Sequence, residues 1–320
     1  MNTPAVKIKP LIVSEDHASQ RIDNFLIREL KKVPRELIYK LLRKKAIRVN
    51  EKKVKPEYRV QPGDVISLPS TLVISAPKAE TIAGIHGPSA QAIQTLEKNI
   101  LHEDANLIIL NKPAGFASHG GSGISFGVIE TMRHARPKLK NLELVHRLDR
   151  DTSGCLILAK KRSILKELHE LLRQNKIKKT YTVLLKGKWR GKTQKVSAAL
   201  RKNQLQSGER MVMIDPNGKV AHTTFSPKQI FPQASLMEVD LGTGRTHQIR
   251  VHAAYVNYPI AGDTKYGDKA FNAFMEKKGL RRLFLHATEL NFYLPSTEKN
   301  FTVSAPLPEE LKRTLDALKL

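Results

Sequence analysis

Apolar residues recur at helical spacing twice near the start of the chain. Ile22, Phe25, Leu26 and Leu30 form one stripe, with Arg21, Arg28 and Glu29 outside it. KKVP interrupts the pattern, and Pro34 stands where a helix tolerates proline in its first turn. Leu37, Ile38, Leu41 and Leu42 then form a second stripe. Beyond it, IRVN and VKP…YRV alternate as strands around a turn at Glu51 and Lys52, and QPGDVISLP reads as a Pro-Gly-Asp turn followed by a last strand. This predicts a small αα-β domain over residues 20–69, after an N-terminal arm of residues 1–19 that ends in the short strand LIVS.

Residues 70–97 mix Pro, Gly, Ser and Ala and read as a linker with one helical turn near its end. From residue 98 the texture changes. Strands are expected over 107–111, 155–160 and 180–186, and helices over 126–136 and 163–174. Several strands follow between 196 and 240, and a helix starts after the turn GTGR. RLFLHATELNFYL and FTVSA give late strands, and EELKRTLDALKL a final helix. Strands run together between few helices, which predicts an α+β second domain over 98–320 rather than a doubly wound sheet.

Charge narrows the partners. The chain carries 55 Lys and Arg against 30 Asp and Glu, a formal net charge of +25. Such an excess implies a polyanion. A membrane binder needs an amphipathic anchor or a lipidation motif, and neither is found, so nucleic acid is the expected partner. No apolar run is long enough for a transmembrane helix or a signal-peptide core, and a soluble cytoplasmic protein is expected. In the small domain Lys31, Lys32, Arg35, Lys40, Arg43, Lys44, Lys45, Arg48, Lys52 and Lys53 cluster without acids at the spacing that would neutralise them. That is the composition of a phosphate-tracking surface. The single cysteine, Cys155, excludes internal disulfides and paired-cysteine zinc sites, and begins the strand-like CLILAK as a small buried hydrophobe.

Several motifs fail on spacing. GKWRGKT has three residues between its glycines where a phosphate loop needs four, and reads as a basic hairpin loop. No G-x-G-x-x-G opens a helix after a strand, which argues against a nucleotide cofactor. HELLR lacks the second histidine of a zinc-protease helix, and His247 and His252 fall on different faces of one; no metal site is expected. HGGSG at 119–123 suits either a phosphate-holding loop or a tight turn over a sheet.

What remains is a pair of acids in a basic chain. HRLDRDTSG (146–154) has no apolar period and leads into a buried strand. Asp151 begins Asp-Thr-Ser-Gly, whose side chains suit bonds to local backbone N–H groups. Asp149 lies between two arginines, and Arg245 and Arg250 wait in TGRTHQIRVH. An aspartate paired with arginine in a cleft keeps its charge, and serves as nucleophile or base rather than acid.

Two resemblances now apply. The stretch 20–68, with Arg21-x-Asp23, RVN and the PGD turn, resembles the small alpha-L RNA-binding domain first described in a small-subunit ribosomal protein. HRLDRDTSG, NKPAG, KKTYTVL and TGRTHQIRVH, with HGGSGISFGVIE and FLHA, resemble the RluA family of pseudouridine synthases. The resemblance implies a mixed, mainly antiparallel sheet with a central cleft. It implies isomerisation of several uridines of large-subunit (23S) ribosomal RNA or its precursor, by a cofactor-free monomer. Asp149 would be the nucleophile. Three first steps stay open: attack on uracil carbon 6, attack on the anomeric carbon, or elimination through the 2′ position. Tyr181 would stack on the uracil and take the carbon 5 proton, with a strand core residue as the plain alternative. Arg250 would pair with Asp149, and Arg245 would either share that role or contact phosphate. Arg147, two residues before Asp149, suits filling the space left by a flipped nucleotide. The competing reading is a non-catalytic RNA-binding ribosome-assembly factor, which explains the charge but not a carboxylate, an arginine and a tyrosine placed together by family motifs.

Overall fold

The computed structural model describes residues 10–30, 33–69, 87–121, 125–204 and 210–319. The chain divides into two compact units, Met1–His86 and Gly87–Leu320.

In the first unit, helices Ile22–Glu29 and Arg35–Arg43 pack on a four-stranded antiparallel sheet ordered Leu11–Ile12, Val65–Ser67, Arg48–Val49, Lys52–Lys53. Ile22, Phe25, Leu26, Ile38, Leu42, Ile47, Val49, Val60 and Ile66 form its core. Leu37, expected in the second stripe, is exposed; Ile38 and Leu42 carry that helix's packing. The hairpin turn falls on Asn50 and Glu51, one residue earlier than the pattern suggested, both at positive φ. A two-residue turn of this kind matches the strand twist, and asparagine tolerates the conformation. The Asn50 amide also donates to Asp64 Oδ1 at 2.8 Å, and its carbonyl accepts from the Val65 N–H at 2.9 Å. Asp64 further accepts from Tyr58 Oη and the Gln61 N–H. RVN and PGD thus clasp one another. Arg43, Lys44, Lys45 and Arg48 are exposed. Lys31 and Lys32 lie outside the described residues, and Arg35 opens the second helix.

The second unit is built on a ten-stranded sheet. Its central strand, Lys178–Lys186, lies between Ala234–Leu241 and Leu285–Leu294, antiparallel to both. Leu285–Leu294 then meets Ser153–Ala159 in the sheet's parallel pairing, only His286 with Ser153 and Ala287 with Gly154. Leu107–Lys112 and Ile100–Glu103 continue antiparallel. The strand LIIL alternates between two clusters. Ile108 and Leu110 join Leu156, Leu158, Val183 and Phe225; Leu107 and Ile109 join Cys155, Ile157, Leu168 and Phe292. Both faces are covered, so these strands read as continuous apolar runs. Cys155 is fully buried, and burial pushes its thiol up to about 12. Such a thiol is inert.

Two helices differ from the sequence reading. Ala90–Lys98, assigned to the linker, is a helix capped by Ser89, and its Leu96 enters the core beside Val128 and Met132. Its Ala- and Gln-rich composition hid a single buried leucine per two turns. Lys269–Lys277, not anticipated, is capped by Asp268 and buries Phe271 and Met275.

The short parallel pairing positions the site. It places Tyr181 across Ala287 from Gly154, at the start of the strand that follows HRLDRDT. Gly154 has φ +109°, and a Cβ there would stand 2.2 Å from the Ala287 carbonyl oxygen. Beneath it, Arg282 donates to Ser153 Oγ at 2.6 Å, Ser153 donates to His286 Nδ1 at 2.8 Å, and His286 Nε2 donates to the Ala305 carbonyl at 3.1 Å. This order assigns His286 as the neutral Nε2–H tautomer.

Two predictions follow from this joint. Gly154→Ala should destabilise the protein by about 3 kcal/mol through strain and a backbone clash, read by urea or thermal denaturation; a loss below about 1 kcal/mol would refute the steric account. Burial pushes His286 from 6.5 down to about 4. The unfolded chain therefore binds a proton that the folded chain refuses, so His286's contribution is complete above pH 6.5 and is lost as pH falls toward 4. Melting temperature against pH should fall less steeply through that window in His286→Gln than in wild type.

Candidate active site

The loop bearing Asp149 is held from beneath by backbone carbonyls. Lys112 is fully buried, and its ammonium donates to the carbonyls of Pro113 (2.9 Å), Phe116 (2.7 Å) and Arg150 (3.0 Å). All three of its protons are used. Burial, and next the charge of Arg282, push this amine down to about 7, while Asp151 and Asp149 pull it back up. The Gly115 N–H also donates to the Arg150 carbonyl, at 2.9 Å. Ser118 Oγ donates to the Leu148 carbonyl (2.7 Å) and accepts from the Leu148 N–H (3.0 Å). The two residues flanking Asp149 are therefore fixed by NKPAG and the serine just after it.

Asp149 faces a cleft of about 520 Å³ whose lining also includes Arg147, Arg173, Lys179, Tyr181, Arg245, His247 and Arg250. Its Oδ2 accepts from Arg250 Nη1 at 3.2 Å, and His247 Nε2 stands 3.7 Å from the same oxygen. Arg250 belongs to the helix Gln248–Tyr255, which follows the turn 242–247. Gln248 organises that turn: its Oε1 accepts from Thr243 Oγ1 and the Arg245 N–H, and its Nε2 donates to the His222 carbonyl and Thr223 Oγ1.

The arginine fork does not engage Asp149. Arg250 Nε and Nη2 donate in parallel to Asp263, at 2.7 and 2.8 Å, leaving Nη1 alone for Asp149. Asp263 also accepts the N–H groups of Lys265 and Tyr266. Burial opposes the Arg250 charge, but the hydrogen bonds and charge of Asp263, then of Asp149, hold its pKa above the ordinary arginine value. The same hydrogen bonds keep Asp263 below the usual carboxylate range against its own burial. A second residue group was also missed. Tyr266 Oη accepts from the Val212 N–H and is paired with His247 Nδ1 at 2.9 Å. With Tyr266 as donor, His247 presents Nε2–H toward Asp149.

Tyr181 is 6% exposed on the central strand, and burial, then the Asp149 charge, raise its pKa. Its hydroxyl has no hydrogen-bond partner among the described residues. Arg147 meets His119 Nε2 at 3.3 Å. Arg245 is exposed and donates to the Val220 carbonyl at 3.3 Å; it bonds neither carboxylate. Asp151, expected to bond local N–H groups, is instead paired at the surface with Arg150. His252 bridges Thr223 and the Ala198 carbonyl, away from His247's partners. Asp149, Tyr181, Arg147, Arg245 and Arg250, singled out in the sequence, line one cleft; Arg250 pairs with Asp149 as expected, through one bond rather than its fork, and Arg245 does not.

Residues 106–255 match the RNA pseudouridylate synthase family, and residues 20–66 match the S4 domain. The chain is 48% identical over 312 residues to the ribosomal large subunit pseudouridine synthase C of Pasteurella multocida, covering 98% of this chain and 94% of that protein. The chain belongs to the RNA pseudouridylate synthase family. The Escherichia coli K12 protein of the same name is 47% identical over 319 residues, 99% of this chain and 98% of its own. Among solved structures, human RNA pseudouridylate synthase domain containing 4 has a TM-score of 0.59 and 26% identity, covering 72% of this chain and 96% of that one. This RNA pseudouridylate synthase is therefore an isomerase with an N-terminal S4 domain. No helix among its described residues is long and apolar enough to cross a membrane.

Arg250→Lys should slow the chemical step by about 10–100-fold, the worth of one or two charge-assisted hydrogen bonds, because a point charge cannot satisfy Asp263 and orient Asp149 together. Asp263→Asn should slow it similarly, although Asp263 reaches Asp149 only through Arg250. Arg245→Lys should leave that rate within about threefold and weaken RNA binding only. Single-turnover kinetics at saturating enzyme separate these outcomes.

Proposed function

We propose that this enzyme converts several uridines of 23S ribosomal RNA, or of its large-subunit precursor, to pseudouridine in the cytoplasm, using Asp149 as nucleophile on a flipped-out nucleotide. The observation that carries this reading is a carboxylate fixed in a cationic cleft, bound on one oxygen by a buried arginine, in a chain 47% identical along nearly its whole length to proteins named for the large ribosomal subunit. Asp149 Oδ1 has no partner among the described residues, so one lone-pair-bearing oxygen remains for the substrate.

The reaction breaks the bond between uracil nitrogen 1 and the ribose and forms one from carbon 5. The carbon 5 proton is lost and nitrogen 1 gains one, so atoms balance without a cofactor. Arg250 holds the Asp149 carboxylate in place during the exchange. Tyr181, with its ring in the wall and its hydroxyl unpaired, supports the uracil while it turns and relays the carbon 5 proton, its own hydroxyl proton passing to solvent as it accepts. Flipping the nucleotide costs a few kcal/mol. Arg147 is exposed at the cleft rim and offers a planar guanidinium to the gap left behind. Phosphate attraction by Arg43, Lys44, Lys45 and Arg48, together with Lys31, Lys32 and Arg35, supplies affinity for the RNA, which such contacts dominate. Arg245 adds a phosphate contact near the cleft.

Asp149→Asn keeps the shape and removes the charge. It should lower the single-turnover rate by at least about a thousandfold and change RNA binding by less than about threefold. Pseudouridine mapping on 23S RNA from a deletion strain should show the same sites missing after complementation with Asp149→Asn, and restored by wild type. Activity within tenfold of wild type would overturn the assignment of Asp149.

A further inference from the structure

Lys179 stands two residues before Tyr181 on the central strand and lines the same cleft. It is 6% exposed, yet its ammonium has no hydrogen bond or ion pair among the described residues. Each arginine of the lining already has at least one partner. Arg147 meets His119, Arg173 is held by Glu170, Arg245 reaches the Val220 carbonyl, and Arg250 serves two carboxylates. A largely buried ammonium without a counter-charge costs free energy, and an arriving anion offsets it. Burial accordingly pushes the Lys179 ammonium down.

We infer that Lys179 is the receiving cation of a phosphate subsite within the cleft, built to take a non-bridging oxygen of the target nucleotide or of its immediate neighbour. The inference rests on the proposed RNA substrate and deepens it. The reach agrees. Residues two apart on a strand have Cα atoms about 7 Å apart, close to the span from a nucleobase to its own phosphate. A base resting on Tyr181 therefore brings a phosphate to Lys179's neighbourhood. The wall beside it comes from the preceding helix end and turn, Leu172, Arg173 and Asn175. An anion is favoured over a neutral uracil carbonyl because only an opposite charge offsets the desolvation of a full positive one.

The subsite works in binding and register. Phosphate seated on Lys179 would fix how far the flipped nucleotide enters, leaving the bond exchange to Asp149. Lys179 is thus a binding residue, distinct from the general attraction of the exposed cations. Its energetic signature is also distinct. A lysine kept for structure loses stability when replaced, whereas a buried lysine kept for a ligand is relieved by replacement.

The test uses the full-length enzyme, stem-loop RNAs cut from 23S ribosomal RNA that each contain one candidate uridine, and the same RNAs with single methylphosphonates at and around that uridine. Lys179→Met should keep or raise the melting temperature. It should raise the half-saturating RNA concentration about tenfold at 0.15 M salt and reduce the salt slope by roughly 1. The saturated single-turnover rate should change less than about threefold, and Lys179→Arg should retain most binding. One methylphosphonate should weaken wild type by the same factor and cost Lys179→Met nothing further. Losses that add at every neutralised phosphate, unchanged binding, a slowed saturated rate, or a clear drop in melting temperature would each overturn the inference. Inactivity of wild type on every such RNA would instead reject the proposed substrate.

Discussion

One buried guanidinium organises this active site by standing between two carboxylates. Arg250 gives its fork to Asp263 and a single bond to Asp149. The division has a chemical consequence. Had the fork closed on Asp149, both its oxygens would be engaged and their reactivity damped. Asp263 instead takes the bidentate pair, repays the desolvation of the arginine, and turns Arg250 into a rigid part of the wall. Asp149 is then oriented from one side only. A buried ion pair adds little to stability by itself, and here its value lies in fixing a third group.

That arrangement needs the Asp149 loop to be as rigid as the helix it faces. The rigidity comes from side chains that bond the loop's backbone and from Leu148, which packs into the core. Lys112 spends its three protons on carbonyls from two segments, Ser118 brackets Leu148, and Gly154 lets the strand behind the loop approach Ala287 closely. The sheet's parallel pairing is only two residues long, and it is the joint that brings Tyr181 beside the loop.

Much of this was legible in the sequence because the elements have strong periods. The apolar stripes of the small domain and the runs LIIL and CLIL gave helices and strands within a few residues of where they fold. Asp149, Tyr181 and Arg250 stood out through family motifs. Asp263 did not, because AGDTKYG reads as an ordinary turn and its partner lies 13 residues away on a helix. His247 was weighed only as a metal ligand, although an N-terminal position at positive φ aims a side chain away from its helix. Lys269–Lys277 was not anticipated although its cap Asp268 and the Phe271–Met275 spacing are visible in the sequence. Ion-pair partners and tautomers depend on tertiary distances, and periodicity carries no information about those.

The charge that first marked the chain then divides into two kinds of work. Exposed lysines and arginines attract the RNA backbone without regard to sequence and are screened by salt. The cations of the cleft are partly or fully desolvated, so each acts on one group at short range. Arg250 is satisfied before substrate arrives, while Lys179 is not. Under the proposed mechanism, one cation orients Asp149 at all times and the burial cost of the other would be offset only when a phosphate is seated. Binding energy gained at that moment would be specific to a nucleotide fully inserted in the cleft. It would oppose the cost of flipping the target nucleotide while giving nothing to RNA held only at the surface.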